Sequence, residues 1–153
     1  MSFKKAYDYL KKYNLEDRVK CFKQSTKTVS EAADAVGVDE CLIAKSMAYI
    51  VGNRNILILL NGNRFVDNKK FKKIFDSKAK MCDIDKLEER FNHKMGGVCP
   101  FGVNDDVEIY FDIHLKDYDY VYPACGSENS SVKLSIEELL SITKNKGFID
   151  VTK

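Results

Sequence analysis

An α+β fold built on a mixed, largely antiparallel sheet follows from three observations in the sequence. Some segments repeat apolar residues at helical spacing, others carry short apolar runs or alternations, and the two kinds follow each other in irregular order, without the strict βαβ alternation of a nucleotide-binding fold. With 153 residues, 44% hydrophobic and 31% charged, residues 1–153 read as one domain that buries roughly 70% of its unfolded surface. No repeat, low-complexity tract or linker interrupts it.

Phe3, Ala6, Tyr7 and Leu10 stand at i, i+3, i+4 and i+7 and predict an amphipathic first helix ending near Asn14. Arg18 to Phe22 reads as a short strand. Thr28-Val29-Ser30-Glu31 has the form of a capping box, opening a helix that turns Val29, Ala32, Ala33 and Val36 inward and stops at Gly37. Asp39 caps a short helix through Leu42 and Ile43, which delivers Lys45 to an element boundary before a strand over Ser46 to Val51. Asn55 to Leu60 is a strongly apolar run, with Asn61-Gly62-Asn63 as a hairpin turn and Arg64-Phe65-Val66 as its return strand. Asp67 caps a helix that points Phe71, Ile74 and Phe75 inward and its lysines outward.

Ala79 to Met81 makes a brief strand, and Ile84, Leu87 and Phe91 form one face of a helix running into a glycine segment. Val107 to Asp112 and Tyr118 to Tyr122 alternate as strands, and Val132 to Leu134 extends. Ser135-Ile136-Glu137-Glu138 is a second capping box, for a last helix through Leu139, Leu140 and Thr143. Phe148 to Val151 adds an edge strand.

Composition excludes several function classes. A net charge of +2 is too small for a general polyanion-binding surface. Locally, Lys69, Lys70, Lys72, Lys73, Lys78 and Lys80 form a basic stretch that suits either a phosphate backbone or a solvated helix face. Cys21, Cys41, Cys82, Cys99 and Cys125 are an odd set with no C-x-x-C pair, so they read as free thiols rather than as a disulfide framework or zinc site. His93 and His114 are the only histidines, which leaves little for a Ser-His or Cys-His relay. No apolar run approaches the roughly 18 residues of a membrane span, and Met1 to Lys5 lacks the apolar stretch of a secretory signal. A soluble, cytoplasmic protein without a membrane partner is expected.

Two segments carry the chemistry. Gly96-Gly97-Val98 stands before the proline-fixed turn Cys99-Pro100-Phe101-Gly102, so main-chain N–H groups can face a ligand; a plain structural turn explains the same residues. Fixed N–H donors aimed at a developing oxyanion are worth about 3 to 4 kcal/mol each. Lys45 sits among Ile43, Ala44, Met47 and Ala48, so its ammonium must reach water or meet an anion. Cys99 has no histidine at a spacing that marks activation. Asp112 either orients Lys45 and the loop or turns the chain, and Gly126 to Ser131 supplies hydroxyls and amides for a ligand or for a turn.

Taken in order, Ser30-Glu31-Ala32-Ala33 with Gly37-Val38, Ile43-Ala44-Lys45-Ser46, Gly62 with Val66-Asp67-Asn68-Lys69-Lys70, Gly96 to Gly102, Asp112, and Gly126-Ser127 with Asn129 resemble the YbaK and prolyl-tRNA editing domain family. Free-standing members of that family act as aminoacyl-tRNA deacylases. The resemblance implies a twisted sheet surrounded by helices, a pocket where Lys45 meets the paired glycines, and the 3′ end of a mischarged tRNA as substrate. It implies that Lys45 contacts the terminal adenosine and its phosphate, that Gly96, Gly97 and Val98 hold the aminoacyl end, and that water cleaves the ester. Ser46, Phe101, Gly102, Asp112, Gly126, Ser127 and Asn129 would complete the substrate site, and Lys69, Lys70 and Lys73 would meet the tRNA backbone. No cofactor or metal is implied; the implied partners are the acceptor end and a prolyl-tRNA synthetase.

The chain departs from that family where some alanine-specific members carry a histidine within the segment matching Gly126 to Ser131, and some cysteine-specific members an acidic residue near Ser131. Ser127, Asn129, Ser130 and Ser131 stand there instead. The expected substrate is tRNA(Pro) carrying a small residue such as alanine or cysteine. The alternatives are a non-catalytic module that binds a tRNA end or nucleotide beside a synthetase, and a thiol redox protein using Cys99 or Cys125.

Overall fold

The computed structural model describes residues 2–153; Met1 lies outside them. Helix α1 (Ser2–Lys11) buries Ala6 and Leu10, the inward positions of the predicted stripe. After strand β1 (Val19–Cys21) comes helix α2 (Val29–Val36), where the Thr28 side chain accepts from the Glu31 N–H and Gly37 ends the helix at φ 84°. Strands β2 (Ile43–Val51) and β3 (Arg54–Asn61) form a long hairpin. Helix α3 (Asn68–Phe75) starts at Asp67, whose carboxyl accepts from the Lys69 and Lys70 N–H groups. Helix α4 (Leu87–Phe91) and strands β4 (Val107–Asp112), β5 (Tyr120–Pro123), β6 (Ser130–Val132) and β7 (Leu134–Ser135) follow. The Ser135 and Glu138 capping box then opens helix α5 (Ile136–Ile142), and β8 (Asn145–Ile149) forms an edge strand that starts three residues before the expected Phe148 and ends two before Val151.

The main sheet has six strands in the order β7-β5-β2-β3-β4-β8, and β1 pairs with β6 in a separate antiparallel ribbon. It is mixed: β2–β3 and β5–β7 are antiparallel, while β2–β5, β3–β4 and β4–β8 are parallel. Parallel neighbours need crossover connections, which local turn signals do not encode. Ile56, Leu57, Ile58, Leu59 and Leu60 of β3 are all fully buried, because both faces of the central strand are covered. Alternation sends Ile56, Ile58 and Leu60 toward Phe71 and Phe75 of α3, and Leu57 and Leu59 toward Leu10, Phe91 and Phe111 on the other face. Each such side chain contributes about 1.5 to 3 kcal/mol of burial.

Four local expectations are corrected. The β2–β3 hairpin turns at Gly52-Asn53, with Gly52 at φ 62°, and Asn61-Gly62-Asn63 has no return strand. Both edges of β3 are already occupied, by β2 and β4, so Arg64 to Val66 runs off as a loop with one bridge, Val66 to Thr152. Lys45 lies inside β2 rather than at a boundary, because a single 3₁₀ turn over Glu40–Leu42 gives way to the strand at Ile43. Ile74 and Ile84 are exposed; Phe71 and Phe75, one helical turn apart, define the buried stripe of α3 without Ile74. Ala79 to Met81 makes one bridge, Met81 to Tyr49, instead of a strand.

Candidate functional site

β2 is paired with β3 along one edge, but its other edge is shared. β5 takes Ile43 and Ala44. Further along, the Ile50 N–H donates to the Lys80 C=O at 2.9 Å, and the Cys82 N–H to the Ala48 C=O at 2.9 Å. On this second edge, between Ala44 and Ala48, no described strand pairs with β2. Since Ala48 and Ile50 point their backbone groups to this side, the period of two places the Ser46 N–H and C=O there as well. The interruption opens on a cavity of about 290 Å³, lined in part by Lys45, Ser46, Gly96 and Val98.

These residues reach the cavity from opposite faces of the sheet. Lys45 stands opposite Leu60 on the face covered by α3, whereas Ser46 stands opposite Leu59 on the face where Val98 packs. An open strand edge is what allows both to border one space. Lys45 Nζ donates to the Gly62 C=O at 3.3 Å and lies 4.3 Å from the centre of the Phe65 ring. Burial lowers the Lys45 pKa, against the opposing field of Glu40. Ser46 Oγ is buried without a hydrogen-bond partner.

Asp112 is fully buried and does not line the cavity. Its carboxyl accepts from the Thr152 hydroxyl at 3.0 Å, from the Val151 N–H at 3.3 Å and from the His114 N–H at 3.2 Å. Thr152 Oγ1 in turn accepts from Arg64 Nε at 2.8 Å, and Val151 C=O from the Asp67 N–H at 2.8 Å. Asp112 therefore holds the loop that carries Gly62 and Phe65, and so supports Lys45 from a distance. Lys70 belongs to the same fastening, donating to Asp150 and to the Thr152 C=O at 2.8 Å each. Lys69 and Lys73 remain exposed on α3.

The glycine loop is fastened differently. A Cβ at Gly97 would lie 2.5 Å from the Gly126 carbonyl carbon and the Ser127 nitrogen, so this glycine admits another loop of the protein. The Gly97 N–H is also occupied, donating to the Lys94 C=O at 3.0 Å. Gly126 abuts Ser2 and Gly102 abuts Lys5, both in α1, and Phe101 is fully buried with its ring 6.2 Å from Tyr9. Ser127 Oγ bonds Ser130 Oγ at 2.6 Å, and Asn129 Nδ2 donates to the Phe22 C=O at 3.2 Å. Gly97, Phe101, Gly102, Gly126, Ser127 and Asn129 thus build the wall from behind, while Gly96 and Val98 line it.

Sequence reasoning missed Thr26, Met47, Met81, Met95 and Tyr122, which also line the cavity. They come from five separate segments and share no spacing signal. Ser130 and Ser131 line it too, their hydroxyls donating to the C=O groups of Cys125 and Pro123. No carboxyl or imidazole group stands among the described lining residues. Cys99 Sγ is 3.5 Å from His93 Nε2, but that nitrogen donates to the Phe101 C=O at 2.6 Å. Burial lowers the His93 pKa to about 4 and raises that of the Cys99 thiol, so neither group is charged at neutral pH. Among the described residues no group of three or more His, Cys, Asp or Glu side chains is placed to hold a metal ion, and no helix is long and apolar enough to cross a membrane.

Residues 23–142 match the aminoacyl-tRNA editing domain. The chain belongs to this family. The editing domain is 40% identical, over 154 aligned residues, to the uncharacterized protein YwhH of Bacillus subtilis (strain 168); the alignment takes in all of this chain and 98% of that one. Over 87 residues, 56% of the chain, it is 26% identical to proline–tRNA ligase 1 of Bacillus thuringiensis subsp. konkukian (strain 97-27), of which the match spans 15%. A crystal structure described as a candidate trans-editing enzyme for prolyl-tRNA synthetase has a TM-score of 0.89 to this fold, at 25% identity, covering 99% of this chain and 97% of that chain. The YbaK-type editing fold, with its mixed sheet and surrounding helices, is the one the editing domain adopts.

Proposed function

We propose that this editing domain, acting as one unit over residues 1–153, is a trans-acting deacylase that hydrolyses the ester of a mischarged tRNA. The observation that carries this reading is the interrupted edge of β2, where Lys45 and Ser46 border the same cavity as Gly96 and Val98. In this reading Lys45 holds the phosphate of the terminal nucleotide, and exposed Lys69 and Lys73 meet the tRNA backbone. The aminoacyl group enters the gap in the sheet, where the Ser46 C=O can accept from its α-ammonium and main-chain N–H groups of Ser46, Gly96 and Val98 face its carbonyl.

Hydrolysis then needs no acid–base relay. Water adds to the ester carbonyl, the oxyanion is met by fixed N–H donors, and the terminal ribose hydroxyl leaves with a proton. An aminoacyl ester is already activated, so positioning and electrostatics suffice, in keeping with a lining that holds no carboxyl or imidazole. The small residues Ala32, Ala44 and Ala48 and the hydroxyls of Ser130 and Ser131 favour a small amino acid such as alanine or cysteine. Such errors arise because a synthetase pocket separates neighbours by only about 1 to 3 kcal/mol per methylene. The reading calls for no cofactor, a cytoplasmic location, and a prolyl-tRNA synthetase as the source of the mischarged tRNA(Pro).

Incubation of the purified protein with Ala-tRNA(Pro), Cys-tRNA(Pro) and a panel of other mischarged tRNAs tests this. Release of amino acid from at least one is expected. Binding of the acceptor end without release from any would replace the deacylase with a non-catalytic tRNA-end module.

A further inference from the structure

Phe65 is 70% exposed, the largest exposure among the described large apolar side chains. Its loop has no freedom to hide it: the Phe65 C=O accepts from the Lys153 N–H at 3.3 Å, Arg64 is fastened to Thr152, and Val66 bridges to Thr152. The ring is presented, and its position is specific. Lys45 Nζ stands 4.3 Å from its centre and also borders the cavity, so one ammonium links an apolar ring outside to the reaction space inside.

A ligand that satisfies all three must carry a flat π system, an anionic group next to it, and a further group small enough for the cavity. A 3′-terminal nucleotide bearing an ester has that order of parts: base, phosphate and ribose, aminoacyl group. We propose that Phe65 is the stacking platform for the terminal base of the tRNA, an inference that rests on the deacylase reading of the cavity. Stacking on an aromatic ring suits this task because every tRNA ends in the same base and affinity is needed rather than sequence discrimination. Lys45 on the ring leaves its remaining N–H donors to the phosphate.

Phe65→Ala, Phe65→Leu and Phe65→Trp separate stacking from packing, and unchanged melting temperatures at this exposed position exclude unfolding as the cause. Both Ala and Leu variants should raise KM for the hydrolysed tRNA about tenfold with kcat within twofold, and Trp should restore KM. Wild-type KM in Phe65→Leu would mean that the ring only props Lys45, which overturns the platform. A second arm is independent of turnover: wild type should bind adenosine 5′-monophosphate more tightly than ribose 5-phosphate, and Phe65→Ala should lose that preference. If no mischarged tRNA is hydrolysed, the deacylase reading fails while this binding arm still decides the platform; equal binding of the two probes by wild type overturns it.

Discussion

The loop over Gly62 to Val66 meets Lys45 beside the cavity that Gly96 and Val98 of the other loop line, and the two loops are held by different balances of polar bonds and close packing. The first is tied by polar bonds that converge on one buried carboxyl, Asp112, through Thr152, Val151 and Arg64. The second relies more on contact, with Gly97 against Gly126 and Gly102 against α1 at distances no side chain would permit, beside bonds from Asn92 to the Gly102 C=O and from His93 to the Phe101 C=O; in the first loop Gly62 is packed as closely, against Glu40. A polar clasp leaves its loop's outer surface free to display Phe65, whereas backbone close packing uses up the glycines it requires. The paired glycines that look like a ligand cradle in the sequence therefore divide: Gly96 faces the cavity and Gly97 faces the protein.

Breaking each fastening should separate the two mechanisms. Gly97→Val forces branched carbon into backbone on a neighbouring loop, so we expect the largest loss, at least about 4 kcal/mol, above the usual range for overpacking because neither backbone can yield cheaply. Denaturant unfolding checks this; a variant as stable as wild type with only reduced turnover would return Gly97 to the cavity wall. Asp112→Ala strands the Thr152, Val151 and His114 donors and should cost about 3 kcal/mol in the same measurement. It should also loosen Lys45 indirectly, lowering activity more than Lys70→Ala does.

His93, bonded to the Phe101 C=O, gives the glycine loop a dependence on pH. Its folded pKa of about 4 lies below the unfolded value of 6.5, so below pH 6.5 the unfolded chain binds the extra proton and stability falls as pH drops toward 4. The loss should reach about 3 kcal/mol and should flatten in His93→Gln, read from urea midpoints across that range. Lys45→Ala, which removes one bond to the Gly62 C=O but leaves the Asp112 clasp and the glycine packing in place, should cost at most about 1 kcal/mol of stability and reduce deacylation about tenfold, equivalent to about 1.4 kcal/mol. Activity within twofold of wild type would show that the phosphate is held elsewhere.

Much of the fold was legible because local chemistry marks it. Thr28, Asp67 and Ser135 cap the helices they announce, and the run Asn55 to Leu60 has the composition of a strand covered on both faces. The misplaced hairpin shows the limit: Asn61-Gly62-Asn63 has turn chemistry, but whether a return strand forms depends on an edge of β3 that β4 occupies from about fifty residues away. In the site, Lys45, Ser46, Gly96 and Val98 were legible together as motifs. Phe101, Gly102 and Gly126 were not, since a glycine that admits a ligand and one that admits α1 read alike. Lys70 looked like its neighbours until Asp150 and the chain end were placed beside it.

Sheet margins with free amides ordinarily invite other chains to dock and aggregate. Here the vacancy beside Ser46 is bounded at both ends, by Pro123 and by Cys82, and lies recessed in a cavity. A polypeptide cannot zip onto a slot one residue long. The recess thereby leaves the Ser46 backbone groups uncovered without offering, at that point, an edge long enough for strand pairing.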